Sequence, residues 1–321
     1  MNLLECPVST EIKFIIFQIV IILPFTAGYL SRRYIHNTQD IAKKIIRINL
    51  ASIEPFVVLW SIWGLTLSID QIFLPLSGLA LVIAGFLIGM ITVIFTGREG
   101  VGRKTYIISS SLANHGFTMG GFICYLIAGE KGIGLASIFT LYFMPYTFIF
   151  IFSYARTGSI RNIFSAGGFA ENFLNLQNMP LHAVILAMVL HLIGISRPDI
   201  NISLDVFLYI SIGLYYFTLG LNFSFGDFRS TGREQLLLAA VKFLVLPLIT
   251  FFVLRFFNLE PGVKTVIMLE SFMPAAVYSV VASILFDLDS RLASSVFVIN
   301  TIVFLVLVLP ALFFFRGIVG F

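Results

Sequence analysis

Apolar runs of roughly twenty residues, parted by short polar stretches, recur from one end of the chain to the other. About 20 apolar residues is the length at which an α-helix crosses the hydrocarbon core of a bilayer. The pattern predicts ten spans, at 13–30, 44–66, 72–95, 106–128, 133–154, 180–195, 205–222, 236–257, 264–286 and 292–315. A transmembrane barrel would instead need alternating segments of about ten residues, and runs such as "LSGLALVIAGFLIGMITVIF" do not alternate. The sixth span, "PLHAVILAMVLHLIGI", is short and holds two histidines. The fold class expected is an all-α polytopic membrane protein.

Composition agrees with the pattern. Of 321 residues, 59% are hydrophobic and 11% charged, with mean hydropathy +1.01, whereas a soluble domain is nearer about 25% charged. A net charge of +4 reads as basic loops on one membrane face rather than as a nucleic-acid surface. Arg32, Arg33, Lys43, Lys44, Arg47, Arg98, Arg103, Lys104, Arg156, Arg161, Arg229, Arg233 and Arg291 fall on one side. Lys13, Lys131, Arg197, Arg255, Lys264 and Arg316 fall on the other. The first side is then cytoplasmic, both termini face out, and the linker at 156–179 ("SAGGFAENFLNLQN") is cytoplasmic. The head "MNLLECPVSTE" is acidic and has no A-x-A-like site, so the first run reads as a retained span. Cys6 and Cys124 suggest neither a disulfide framework nor a zinc site.

The linker divides the chain near its middle, which invites comparison of the two sides. Leu135-Ala136-Ser137 matches Leu292-Ala293-Ser294 at an offset of 157 residues (292 − 135). The same offset sets Asn114 opposite Ser271 and Phe117 opposite Pro274. Five spans is an odd number, so a second copy enters the membrane from the other side, as in the inverted repeats of many secondary transporters. The expected organisation is a first repeat at 1–155, the linker at 156–179 and a second repeat at 180–321.

Two interrupted spans occupy matching places in the halves. The fourth holds Asn114, His115, Gly116, Gly120 and Gly121 in "LANHGFTMGG". The ninth, "MLESFMPAAVYSVVASILF", holds Pro274, which cannot donate a hydrogen bond and clashes with the preceding turn. Such breaks are tolerated where protein or cavity water satisfies the freed backbone. If both segments break and cross, two half-helix N-termini point at one midplane site suited to a carboxylate.

Ionisable residues inside spans are costly and read as functional. Glu54 precedes Pro55 near the middle of span two; Glu270 lies about two turns from the outer end, where a long side chain reaches toward solvent. Lys242 lies at a similar distance from the cytoplasmic end and has the length to snorkel. A carboxylate, a histidine and a lysine in one cavity have the chemistry to carry a proton. His182 and His191 read as backbone-bonding or end-of-span residues. "GREGVGRKT" imitates a phosphate-binding loop, but Arg103 takes the lysine position and no strand precedes it. No nucleophile–base pair or metal-ligand spacing marks an enzyme, and no cofactor or metal is expected.

With these segments the chain resembles the auxin efflux carrier family, including bacterial members often described as malate or malonate permeases. The resemblance rests on "GYLSRR" and "LANHGF" in the first half. In the second half it rests on "YFTLGLNF" and on "MLESFMPAAVYSVVASILFDLDSRLASSVFVINTIVFLVLVLP". It implies two inverted five-helix repeats with broken, crossing fourth and ninth helices, related to the bile-acid sodium symporter fold. It also places Asn114 and Pro274 at the crossover, with Asn114 against the substrate carboxylate. Relatives often carry proline after the Asn-x-Gly; here glycines stand there instead.

The expected function is secondary transport of a small organic anion, mono- or dicarboxylate, by alternating access driven by a proton or sodium gradient. The residues expected at the substrate are Asn114, His115, Gly116, Gly120, Gly121, Ser271, Pro274, Ala275 and Tyr278; Glu54, Lys242 and Glu270 are expected at the coupling ion. Two alternatives stand: a sodium-coupled bile-acid-type symporter, and a membrane sensor that binds without transport. The expected setting is a bacterial inner membrane. The partners are the anion and the lipid bilayer, without nucleic acid, and a homodimer is one expectation for the assembly.

Overall fold

The computed structural model describes residues 10–64, 69–115, 119–159, 176–200, 204–223 and 231–312. The helices of the first half are α1 (Thr10–Ser31), α2 (Thr38–Ala51), α3 (Ile53–Trp63), α4 (Phe73–Thr92), α5 (Gly100–Ser111), α6 (Gly120–Phe139), α7 (Phe143–Pro145) and α8 (Phe152–Thr157). Those of the second are α9 (Met179–Leu192), α10 (Leu204–Asn222), α11 (Gly232–Ala240), α12 (Leu246–Leu254), α13 (Pro261–Ser271), α14 (Val277–Leu285) and α15 (Ser290–Val303). Helix satisfies each backbone group within its own segment, which hydrocarbon demands. Among the described residues four helical runs are long and apolar enough to cross a membrane: Phe73–Thr96, Gly134–Thr157, Gly232–Leu254 and Ser290–Leu312.

Two predicted spans differ from what is observed. The span expected at 44–66 is two helices, parted at Ser52. Pro55 therefore sits in the first turn of α3, where its missing N–H leaves no intrahelical bond unmade, and Glu54 lies at a helix start. Near 129–132, where a loop is expected, the backbone is helical, within α6 that runs to Phe139. A straight helix of that length would carry Phe139 about 28 Å from Gly120. Yet Gly120 bonds back to Asn114, while Phe139 and Tyr142 both touch the neighbouring His115. Gly120 and Phe139 therefore lie closer together than the ends of a straight helix of that length. Within the expected linker, residues 160–175 lie outside the described residues.

The helices pack in two groups. α1, α2, α3, α9 and α10 contact one another, and the remaining helices gather around α4, α5, α13 and α15. In the first group α1 and α10 cross backbone to backbone. A Cβ at Gly28 would strike the Phe217 carbonyl, and one at Gly220 would strike the Phe25 carbonyl. The end of α3 is tied down by His191 Nε2 on the Ile62 carbonyl (3.0 Å) and by Arg197 on the Trp60 carbonyl (3.1 Å). His191 thus bonds to backbone, as expected. The groups meet where α2 and α10 lie against α14, α10 against α15, and α9 against α7.

Candidate functional site

The site is built from two interruptions. α5 ends at Ser111 and Leu112 turns extended (φ −72, ψ 131); α13 ends at Ser271, and Ala276 is extended (φ −78, ψ 148) before α14. Between these ends the two strands of chain pair. Ala113 and Ala275 form an antiparallel bridge. The Asn114 N–H donates to the Pro274 carbonyl (2.7 Å) and the Ala276 N–H to the Leu112 carbonyl (3.2 Å). The breaks therefore satisfy each other, which is how irregular backbone survives where water is scarce. Pro274 has no N–H to lose and takes part only as an acceptor.

An antiparallel pair has a local two-fold axis, which here relates Asn114 to Ala276 and Leu112 to Pro274, an offset of 162 (276 − 114). That corrects the alignment of Asn114 with Ser271 drawn from the 157-residue offset. Ser271 lies in the last turn of α13 and its hydroxyl donates to the Met268 carbonyl (2.6 Å).

Four half-helix ends meet at the bridge, and the two C-terminal ends are capped by polar side chains. Lys242, from a π-turn at Val241–Val245, donates to the carbonyls of Ser111 (3.3 Å) and Leu112 (3.0 Å). A cation at a helix C-terminus complements the partial negative charge there. Snorkelling is overturned for this lysine: Lys242 is 0% exposed. His115 does the same for α13, its Nε2 lying 2.9 Å from the Glu270 carbonyl. A carbonyl only accepts, so Nε2 carries the hydrogen and, in the neutral ring, Nδ1 accepts from the Tyr142 hydroxyl. Both ring nitrogens are thereby engaged by protein.

The Glu270 carboxylate turns the other way, onto the start of α6. A Cβ at Gly120 would overlap both of its oxygens, so any larger residue there requires the carboxylate to shift. Glu270 is 0% exposed, which overturns its expected reach toward solvent, and among the described residues neither carboxylate oxygen has a hydrogen-bond partner. A buried carboxylate without a partner costs several kcal/mol or more as an anion, a cost that a bound proton or cation removes. Gly121 is buried in the same first turn of α6. Gly116 and Phe117 lie outside the described residues.

Glu54 lies elsewhere, in the first helix group. It accepts a hydrogen bond from the Tyr215 hydroxyl of α10. Tyr215 in turn lies 3.4 Å, oxygen to oxygen, from Tyr278 in the first turn of α14. Phe143 packs edge-on against Tyr278 (5.1 Å between ring centroids). Asn114 is 3% exposed and pairs with the Tyr216 hydroxyl, again from α10. The expected residues thus fall into two clusters joined at the bridge: Lys242, His115, Glu270 and Gly120 on its helix ends, and Glu54 reached through tyrosines.

Tyr142, Tyr215 and Tyr216 were not among the expected residues. Their signal was available in "LYYFTLG" and "LYFMPY", since a buried phenol in an apolar segment needs a hydrogen-bond partner.

Residues 170–312 match the family model described as Membrane transport protein. No curated protein matches the chain. The matched region holds Tyr215, Lys242, Glu270, Pro274 and Tyr278, while Glu54 and Asn114 lie outside it. Over residues 170–312 the chain is thus similar to the membrane transport protein family, that of the auxin efflux carriers.

Proposed function

We propose that this protein is a secondary transporter of a small organic anion, a mono- or dicarboxylate, bound beside the paired breaks. The observation that carries this reading is the backbone pairing of residues 112–114 with 274–276. It turns the N-terminal ends of α6 and α14 toward one place, where helix dipoles favour a carboxylate. Their C-terminal counterparts are already occupied by Lys242 and His115. Asn114 and Tyr278 are the proposed cargo contacts, with Pro274 and Ala275 holding the backbone open. Ser271 and His115 serve the helix ends rather than the cargo. Glu270, a buried carboxylate with no hydrogen-bond partner among the described residues, is the first choice for the coupling proton or sodium ion. Alternating access moves the α1–α3, α9, α10 group against the crossover group.

Purified protein in liposomes provides the test. Labelled malate or malonate should accumulate under an imposed proton or sodium gradient, and Glu270→Gln should remove the dependence on that gradient. Absence of flux for every mono- and dicarboxylate under both gradients would sink the reading.

A further inference from the structure

The Glu54–Tyr215–Tyr278 chain crosses from one helix group to the other, and nothing in the crossover requires it. Glu54 and Tyr215 belong to α3 and α10, Tyr278 to α14. A phenol has one hydrogen to give. Tyr215 gives its hydrogen to Glu54, so in the 3.4 Å contact the donor is Tyr278. With Glu54 ionised, the Tyr278 hydrogen is thereby drawn away from the crossover.

We infer that Glu54 is a proton-binding site whose occupancy decides whether Tyr278 can donate to a carboxylate cargo, with Tyr215 as the positioning residue between them. One proton arrives at Glu54 and no covalent bond other than its O–H forms. Protonated Glu54 donates to the Tyr215 oxygen, the Tyr215 hydroxyl turns to donate to Tyr278, and the Tyr278 hydrogen is released toward the start of α14. Proton binding and carboxylate binding then strengthen each other by the same factor, as linkage requires. The 3.4 Å contact is long for an O–H···O bond. It is also the link that a shift of the two groups would open first.

The surroundings of Glu54 suit a switch rather than a structural ion pair. The helices packed against α3 carry Asp40, Lys43, Lys44 and Arg47 on α2, and His182 and His191 on α9. Among the described residues none of them forms an ion pair with Glu54. The polar groups that face it are Tyr215, then Asn49 and Tyr278 behind that phenol.

The inference rests on the transporter reading for its cargo, so its test separates the two. Infrared difference spectra between acid and alkaline buffer, on the full chain in detergent, read protonated carboxyl groups directly. Wild type is expected to show a band that Glu54→Gln lacks. Tyr215→Phe and Tyr278→Phe should both move that band and change the proton affinity behind it by about five-fold. Malonate should raise the proton affinity in wild type and leave it unchanged in Tyr278→Phe. A wild-type spectrum identical to that of Glu54→Gln, or a band that Tyr278→Phe leaves in place, overturns the relay. So does malonate that stabilises the protein against heat without moving the band. Failure of malonate and other carboxylates to bind or cross, with the Tyr278→Phe shift intact, sinks the transporter reading and leaves the relay standing.

Discussion

Glu270 and Gly120 are the sharpest pair at the scale of single residues. Gly120→Ala puts a methyl group where the carboxylate lies. With no solvent to turn into, the side chain must repack at about 1–3 kcal/mol. Melting temperature in detergent should fall in Gly120→Ala, and most of the loss should disappear in Gly120→Ala with Glu270→Ala. That coupling of about 1 kcal/mol or more marks contact; additive losses would deny it. Lys242→Met should cost about 1–3 kcal/mol, because it strips a donor from two buried carbonyls. Both charged residues were legible as intramembrane charges. Their full burial was not, because residue spacing gives depth along a helix but not which neighbours surround it.

The interrupted helices are legible to different degrees. Proline in the ninth span announces a break by its chemistry, and the structure has one there. In the fourth span the Asn-His and Gly-Gly pairs mark the place, but register comes only from pairing, which is why the 157-residue offset misaligned Asn114. Near 129–132, with Glu130 and Lys131, the sequence leads to a loop between the fourth and fifth spans, whereas the backbone there is helical. The pairing itself can be probed with Ala276→Pro. The φ of −78 at Ala276 already suits proline, so the substitution deletes only the N–H bonded to Leu112. That carbonyl keeps Lys242 as a donor, so the loss should be under about 1 kcal/mol. Combined with Lys242→Met the loss should exceed the sum of the two, since Leu112 then has neither donor. Melting curves of the four proteins check this, and strict additivity would show that the carbonyl is not shared.

Across the whole molecule, two helix groups meet along a seam with tyrosines in the middle and an ion pair near one edge. Lys43 of α2 lies 2.5 Å from Asp287, just past α14. The pair is partly exposed and so contributes about 0–1 kcal/mol. If the groups move against each other it must open once per cycle. Lys43→Gln should then change uptake by less than about five-fold, and exchanging the two charges should restore it. Loss of all uptake in Lys43→Gln would mean the residue does more than tie the seam. The two-group division was not visible in the hydrophobic pattern, which marks spans but not which spans touch. What the motifs did mark was the crossover, and the match to the family model covers the half where those motifs are densest.

Thermal stability of the purified protein across a panel of mono- and dicarboxylates bears on that crossover without any need for flux. A ligand at 100 times its Kd adds about 2.7 kcal/mol to the folded state. At least one carboxylate should raise the melting temperature of wild type, and Asn114→Ala, folded and equally cooperative, should lose that rise. A carboxylate that stabilises Asn114→Ala as strongly as wild type, or a panel in which none stabilises either protein, would contradict an anion site at the paired breaks.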